Sequence, residues 1–95
     1  MDIIISKSTR DDKKYMAKIN NKTIHFGSSI HSDYTKHKDE ERKKNYINRH
    51  KKNEDWTDPN TAGFYAKNLL WNKPTLEQSI KDTNNKFKNI KLKFK

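Results

Sequence analysis

The chain has 95 residues, a formal net charge of +10, an apolar content of 29% and no cysteine. One small domain is the most such a length supports, and the missing thiols exclude a disulfide framework, a thiolate metal site and cysteine catalysis. The charge is local: residues 36–52 and residues 81–95 each carry a net +5 and the remainder balances to zero, and cations gathered in this way make a field that recruits a polyanion.

Residues 3–26 read as a three-stranded meander, because short apolar or alternating runs are separated by polar turn clusters. Residues 3–6 form the first strand and Ser8-Thr9-Arg10-Asp11-Asp12 a turn. Residues 14–19 place Tyr15, Ala17 and Ile19 on one face, and Asn20-Asn21 suits a two-residue hairpin turn since Asn tolerates positive φ. Residues 22–26 return, and Gly27-Ser28-Ser29 closes the unit. Residues 39–53 become helical, with Tyr46, Ile47 and His50 on one narrow face. Asp39, Glu40 and Glu41 open this helix and Lys51 and Lys52 close it, which complements its dipole.

Asp58-Pro59 predicts the start of a second helix, because Asp caps and Pro is tolerated at the first helical position. It runs to about Trp71 and carries Phe64, Tyr65, Leu69 and Leu70. Pro74 ends it. Thr75 and Gln78 fit a capping box for a third helix, with Leu76, Ile80 and Phe87 on one face. Residues 90–95 alternate apolar and basic, so they either add a strand that shows three lysines on its far face or form a basic tail. The expected fold is a single α+β domain over residues 1–95: a three-stranded antiparallel meander at 1–27, a helical part with three short helices at 36–87, and a basic fourth strand or tail at 88–95.

Seventeen Ile, Leu and Phe with no Val put the composition near that of disordered chains. Tyr46, Trp56, Phe64, Tyr65 and Trp71 lie beside basic residues, as in a surface that stacks bases, yet the scarcity of aliphatic residues assigns them mainly to the core. His25, His31, His37 and His50 are spaced by six, six and thirteen, which matches no common ligand pattern, so neither a metal nor any other cofactor is expected. Only Gly27 and Gly63 exist, which leaves no phosphate-cradling loop, and the acids sit in basic, solvated surroundings. No nucleophile and base stand together, so a non-enzymatic protein is expected. The candidate nucleic-acid contacts are Lys36, Lys38, Arg42, Lys43, Lys44, Arg49, Lys51 and Lys52 in and around the first helix, with Lys88, Lys91, Lys93 and Lys95 at the end of the chain. Met1-Asp2-Ile3-Ile4-Ile5 lacks the features of a signal peptide and no apolar run approaches a bilayer span, so a soluble, unsecreted product without a transmembrane segment is expected. Lys outnumbers Arg nineteen to three, which also fits an AT-rich genome.

The strings His25-Phe26-Gly27, Ser32-Asp33-Tyr34-Thr35-Lys36-His37-Lys38-Asp39, Tyr46-Ile47-x-Arg49-His50, Glu54-Asp55-Trp56 and Ala62-Gly63-Phe64 follow one another in order. Leu70-Trp71-Asn72-Lys73-Pro74-Thr75-Leu76 and Ser79-Ile80-x-Asp82 complete the set. Together they resemble a family of short basic proteins encoded by large nucleocytoplasmic DNA viruses, including giant amoeba and algal viruses. The resemblance runs from the first hairpin to Phe87, where the family pattern stops soon after, often in Phe-Gly, while this chain continues into its Lys-rich strand. It implies a viral origin and a host-cytoplasmic or virion setting, and it brings no functional residues with it. It also implies one folded unit, in which Asp33, His37, Arg42, Arg49, His50 and Glu54 form a half-buried network with each charge paired.

A non-specific nucleic-acid-binding protein is therefore expected, acting on DNA in preference to RNA and helping to organise or package a viral genome. The alternative is a virion structural component, a minor capsid or core protein whose basic face meets acidic virion proteins or membrane headgroups.

Overall fold

The computed structural model describes residues 1–95, and its sheet begins as the expected meander. Strands β1 (Asp2–Lys7), β2 (Lys13–Ile19) and β3 (Lys22–Ser28) are antiparallel neighbours. Asn20 turns the β2–β3 hairpin with a φ of 56°, a conformation that Asn adopts more readily than most residues. The last residues are a strand: β4 (Lys91–Phe94) lies parallel to β1, with Ile3 opposite Leu92 and Ile5 opposite Phe94, giving the order β3-β2-β1-β4. The whole helical part is the crossover that carries the chain from one sheet edge to the other, as parallel pairing requires.

Side chains alternate along a strand, so Ile3, Ile5, Ala17, Ile19, Ile24, Phe26 and Leu92 share one face, and all are buried. Phe64, Tyr65, Leu69, Leu70 and Ile90 pack against them. Phe26 stacks on Tyr65 with centroids 5.4 Å apart, and Phe64 meets Phe87 at 5.3 Å. Each such ring contributes about 1.5–3 kcal/mol by burial, and this is how a chain without valine assembles a core. The other face holds Ile4 between Lys18 and Lys93 in register. Lys18, Lys91 and Lys93 are exposed there.

Four helical segments form where three were expected. The additional one, α1 (Tyr34–His37), is a single turn capped by Asp33, whose carboxylate accepts from the Thr35 amide at 3.0 Å; the helical part thus opens at Tyr34 and not at Lys36. Lys38 takes the left-handed conformation, φ 54°, and ends this turn. Asp39 then caps α2 (Glu40–His50), accepting from the amides of Glu41 and Arg42 at 3.0 and 3.3 Å.

The next helix starts later than the Asp58-Pro59 pair predicts. Asp58 instead accepts from the Asn60 amide at 3.0 Å and closes its own turn, which leaves Thr61 to cap α3 (Ala62–Tyr65) through the Phe64 amide at 3.2 Å. The helix then widens into a π turn, Ala66–Leu70, closed by the Trp71 amide on the Ala66 carbonyl at 3.1 Å. Asn68 donates to the carbonyls of Phe64 and Trp56 at 2.9 and 3.1 Å and so competes with the main chain for the Phe64 carbonyl. Thr75 caps α4 (Leu76–Lys86) as expected, accepting from the Gln78 amide at 3.1 Å. No helix is long and apolar enough to cross a membrane.

Candidate nucleic-acid interface

The basic residues marked in the sequence are exposed except for Lys43. Lys43 donates to the Asn72 carbonyl at 2.6 Å and sits 4.8 Å above the Tyr34 ring, so it fastens α2 to the chain before α4 and is unavailable to a phosphate. Lys38 donates to the Thr35 carbonyl at 3.1 Å while remaining exposed. Of the α2 cations, Arg49 shares a cleft with Gly27 and Ser28 of β3, one edge of the sheet. Lys91 and Lys93 belong to β4, the other edge, and Lys95 directly follows it.

Behind α2 runs a column of rings. His50 stacks on Tyr46 at 4.3 Å, Tyr46 on Trp71 at 4.3 Å, Trp71 meets His37 at 5.3 Å, and His37 meets Tyr34 edge-on at 6.2 Å. Lys43 covers one end. At the other, His50 donates from Nδ1 to Glu54 Oε2 at 2.7 Å, and Trp56 Nε1 donates to Glu54 Oε1 at 2.8 Å. Gly63 leaves room for that carboxylate, since a Cβ there would lie 2.8 Å from Oε1. Burial, with the Glu54 charge added, pushes the Tyr46 phenol far above its ordinary value, so the ring stays neutral in the column.

A cleft of about 390 Å³ opens beside this column. Its inner wall is Tyr46, Leu70 and Trp71, and its sheet side is Lys14, Gly27 and Ser28. Gly27 has φ 80°, and a Cβ there would meet Leu70 Cδ1 at 2.6 Å, so both conformation and space require glycine. Asp33 also borders the cleft, buried and ion-paired with Lys14, and it accepts from the Thr35 hydroxyl as well.

The expected charge network is therefore corrected. Asp33, His37, His50 and Glu54 are bonded as parts of the scaffold, but Arg42 and Arg49 are exposed and take no ion pair. Lys14 of β2 supplies the partner that sequence reasoning missed; nothing local connects it to a carboxylate nineteen residues on. Asn68 and Asn72 were also missed. Asn72 donates to Asp82 at 2.8 Å and to the Asn68 carbonyl at 3.1 Å, and Thr83 donates to the same carbonyl at 3.2 Å. These bonds hold the π turn against α4, and the Asn72 donor, helped by Lys86, holds Asp82 below the usual carboxylate range.

Each histidine has its own partner. His25 Nδ1 meets the Ser8 hydroxyl at 2.7 Å and His31 Nδ1 the Ser28 hydroxyl at 2.9 Å. His37 Nδ1 accepts from the Asp39 amide at 3.0 Å, which leaves its Nε2 buried without a partner. No three His, Cys, Asp or Glu side chains converge on a point where a metal ion would sit.

Fold and surface together define a two-layer α+β domain with an exposed cationic helix at one sheet edge and a lysine strand at the other. The chain belongs to DUF5754, a family of unknown function, whose match spans residues 3–50 and thus takes in the meander, α1 and α2. No curated protein and no solved structure is similar enough to match.

Proposed function

We propose that this protein binds nucleic acid through the phosphate backbone, without sequence specificity and without an enzymatic step, and that it organises or packages the genome of a large DNA virus. Exposed and uncommitted cations carry this reading: none of the four ion pairs in the chain uses a lysine or arginine of α2 or β4, and the one paired basic group of α2 is His50, held by Glu54. Arg42, Lys44 and Arg49 supply contacts from α2 with Lys51 and Lys52 just after it, and Lys91 and Lys93 from β4 with Lys95 just after it. Each phosphate neutralised adds about −0.9 to the slope of log K against log salt on duplex DNA. DNA in preference to RNA, and a host-cytoplasmic or virion location, follow from the viral resemblance. A salt-titrated binding assay on duplex, single-stranded and RNA probes tests the reading. Replacing Lys91, Lys93 and Lys95 by Gln is expected to flatten the slope; no binding at low salt, or binding that ignores salt, sinks it.

A second reading is a virion structural component. Phe94, 48% exposed, borders an apolar hollow with Leu76 and Ile80 on the β4 side, a patch suited to a protein neighbour. Fixed stoichiometry in particles and resistance to nuclease extraction would favour it.

A further inference from the structure

We propose that the cleft beside α2 contains a discrete phosphate seat, in which the guanidiniums of Arg42 and Arg49 grip one phosphate group. It rests on the nucleic-acid reading for the source of that phosphate, but its geometry stands independently of the lysine surface.

The chain has three arginines. Arg10 is held by Asp12 at 3.0 Å in an exposed turn, and the other two have no partner at all. Both line a hollow of about 340 Å³ that adjoins the main cleft. They stand seven residues apart on α2 with Asn45 between them, a spacing that keeps all three on one helical face. Arginine presents a planar fork that matches two phosphate oxygens at once, which lysine cannot do. A lysine-rich chain that puts its only two free guanidiniums at one hollow has built something other than diffuse charge.

The opposite wall supplies further donors. His31 and Ser32 line both hollows, and Ser28 lines the larger one. Asp33, the only carboxylate bordering either, is already matched by Lys14 and the Thr35 hydroxyl, so its repulsion of an incoming anion is largely cancelled. Trp71 closes the back, with Tyr46 stacked parallel on its indole and His37 tilted against it at 5.3 Å. The indole face that Tyr46 covers is not free to stack a base. Two guanidiniums, an amide, a hydroxyl and an imidazole around the hollow favour a phosphate over a nucleobase, which separates it from the aromatic platforms that read single strands.

The phosphate can come from a free phosphomonoester or from a nucleic-acid backbone, and the two are distinguished by titration. The full ¹⁵N-labelled chain is titrated at constant ionic strength with inorganic phosphate, with a deoxynucleoside 5′-monophosphate, and with single-stranded and duplex oligonucleotides lacking terminal phosphates. Saturable shifts at residues 28–32, Arg42, Arg49 and the Trp71 indole are expected. Replacing both arginines by Gln is expected to weaken binding by about tenfold or more, as loss of charge-assisted hydrogen bonds does, and replacing both by Lys to lose most of it as well. K18Q with K22Q, which removes the same charge from exposed sheet positions, should leave the small anions unaffected. Because both arginines are exposed, the variants fold, and circular dichroism checks this. Saturation by small anions with no oligonucleotide binding keeps the seat and removes the nucleic-acid reading. Shifts spread evenly over the lysines, or small-anion binding unchanged in R42Q/R49Q, overturns the seat and leaves that reading standing.

Discussion

The Tyr46 ring and the Trp71 indole lie parallel, 3° apart in plane with centroids 4.3 Å apart, and this contact fastens α2 to the end of the π turn. Tyr46→Ala and Trp71→Ala should each destabilise the fold by about 2–4 kcal/mol. A double-mutant cycle by urea unfolding should give a coupling of about 0.5–1.5 kcal/mol. Strict additivity would mean that the rings touch without sharing energy.

Lys14 and Asp33 are a buried ion pair, with side chains 14% and 5% exposed. Lys14→Met leaves a buried carboxylate unmatched beside a helix cap and is expected to cost about 3–5 kcal/mol. Adding Asp33→Asn removes the stranded charge, so the double variant should unfold at a higher temperature than Lys14→Met alone. The reverse order would show that the pair is not the source of the loss.

The two glycines should respond differently to alanine. Gly27→Ala combines a left-handed backbone with a clash on Leu70 and is expected to cost about 1–3 kcal/mol. Gly63→Ala meets the end of a flexible Glu54 side chain, so it should cost less and act by displacing the carboxylate from His50. An Nδ1–H resonance of His50 is expected in the NMR spectrum of the parent chain from its bond to Glu54; its loss in Gly63→Ala is the readout, and its persistence there would contradict this assignment.

Asp82 gives the acid limb of stability a definite sign. Its folded-state pKa lies below the ordinary value of 3.8, because it accepts from Asn72 and pairs with Lys86 at 3.0 Å. Just below pH 3.8 the unfolded chain therefore binds more protons than the folded one. The stabilisation is complete above that pH and is lost as the pH falls through the folded-state value. Asp82→Asn should lower stability at pH 6 by up to about 1 kcal/mol, and the gap to the parent chain should narrow as the pH falls below 3.8; a constant gap would rule out the linkage.

Much of the fold was legible where a residue acts on its immediate neighbours. Asn20 turns a hairpin, Thr75 and Asp39 cap helices, and the apolar-basic alternation of residues 90–95 is a strand, because each signal operates within a few residues. Asp58-Pro59 misled for a local reason too: the Asp58 side chain served its own turn and passed the cap to Thr61. The site was less legible, since its defining contacts join distant positions. Lys14 with Asp33, Lys43 with the Asn72 carbonyl and Tyr46 with Trp71 leave no spacing pattern to read. The sequence marked Arg42 and Arg49 by charge, but only the fold shows that they alone among the arginines lack partners.

A π turn is an α-helix carrying one residue more than it needs. Excising a single residue within Ala66–Leu70 would let the segment relax to an ordinary helix and swing the Trp71 side chain by about 100° around the axis, away from Tyr46. The ring column, the back wall of the cleft and the grip of α2 on the rest of the molecule would then go together. The hollow beside α2 thus depends on one extra residue in a single helical turn, far in the sequence from the cations that line it.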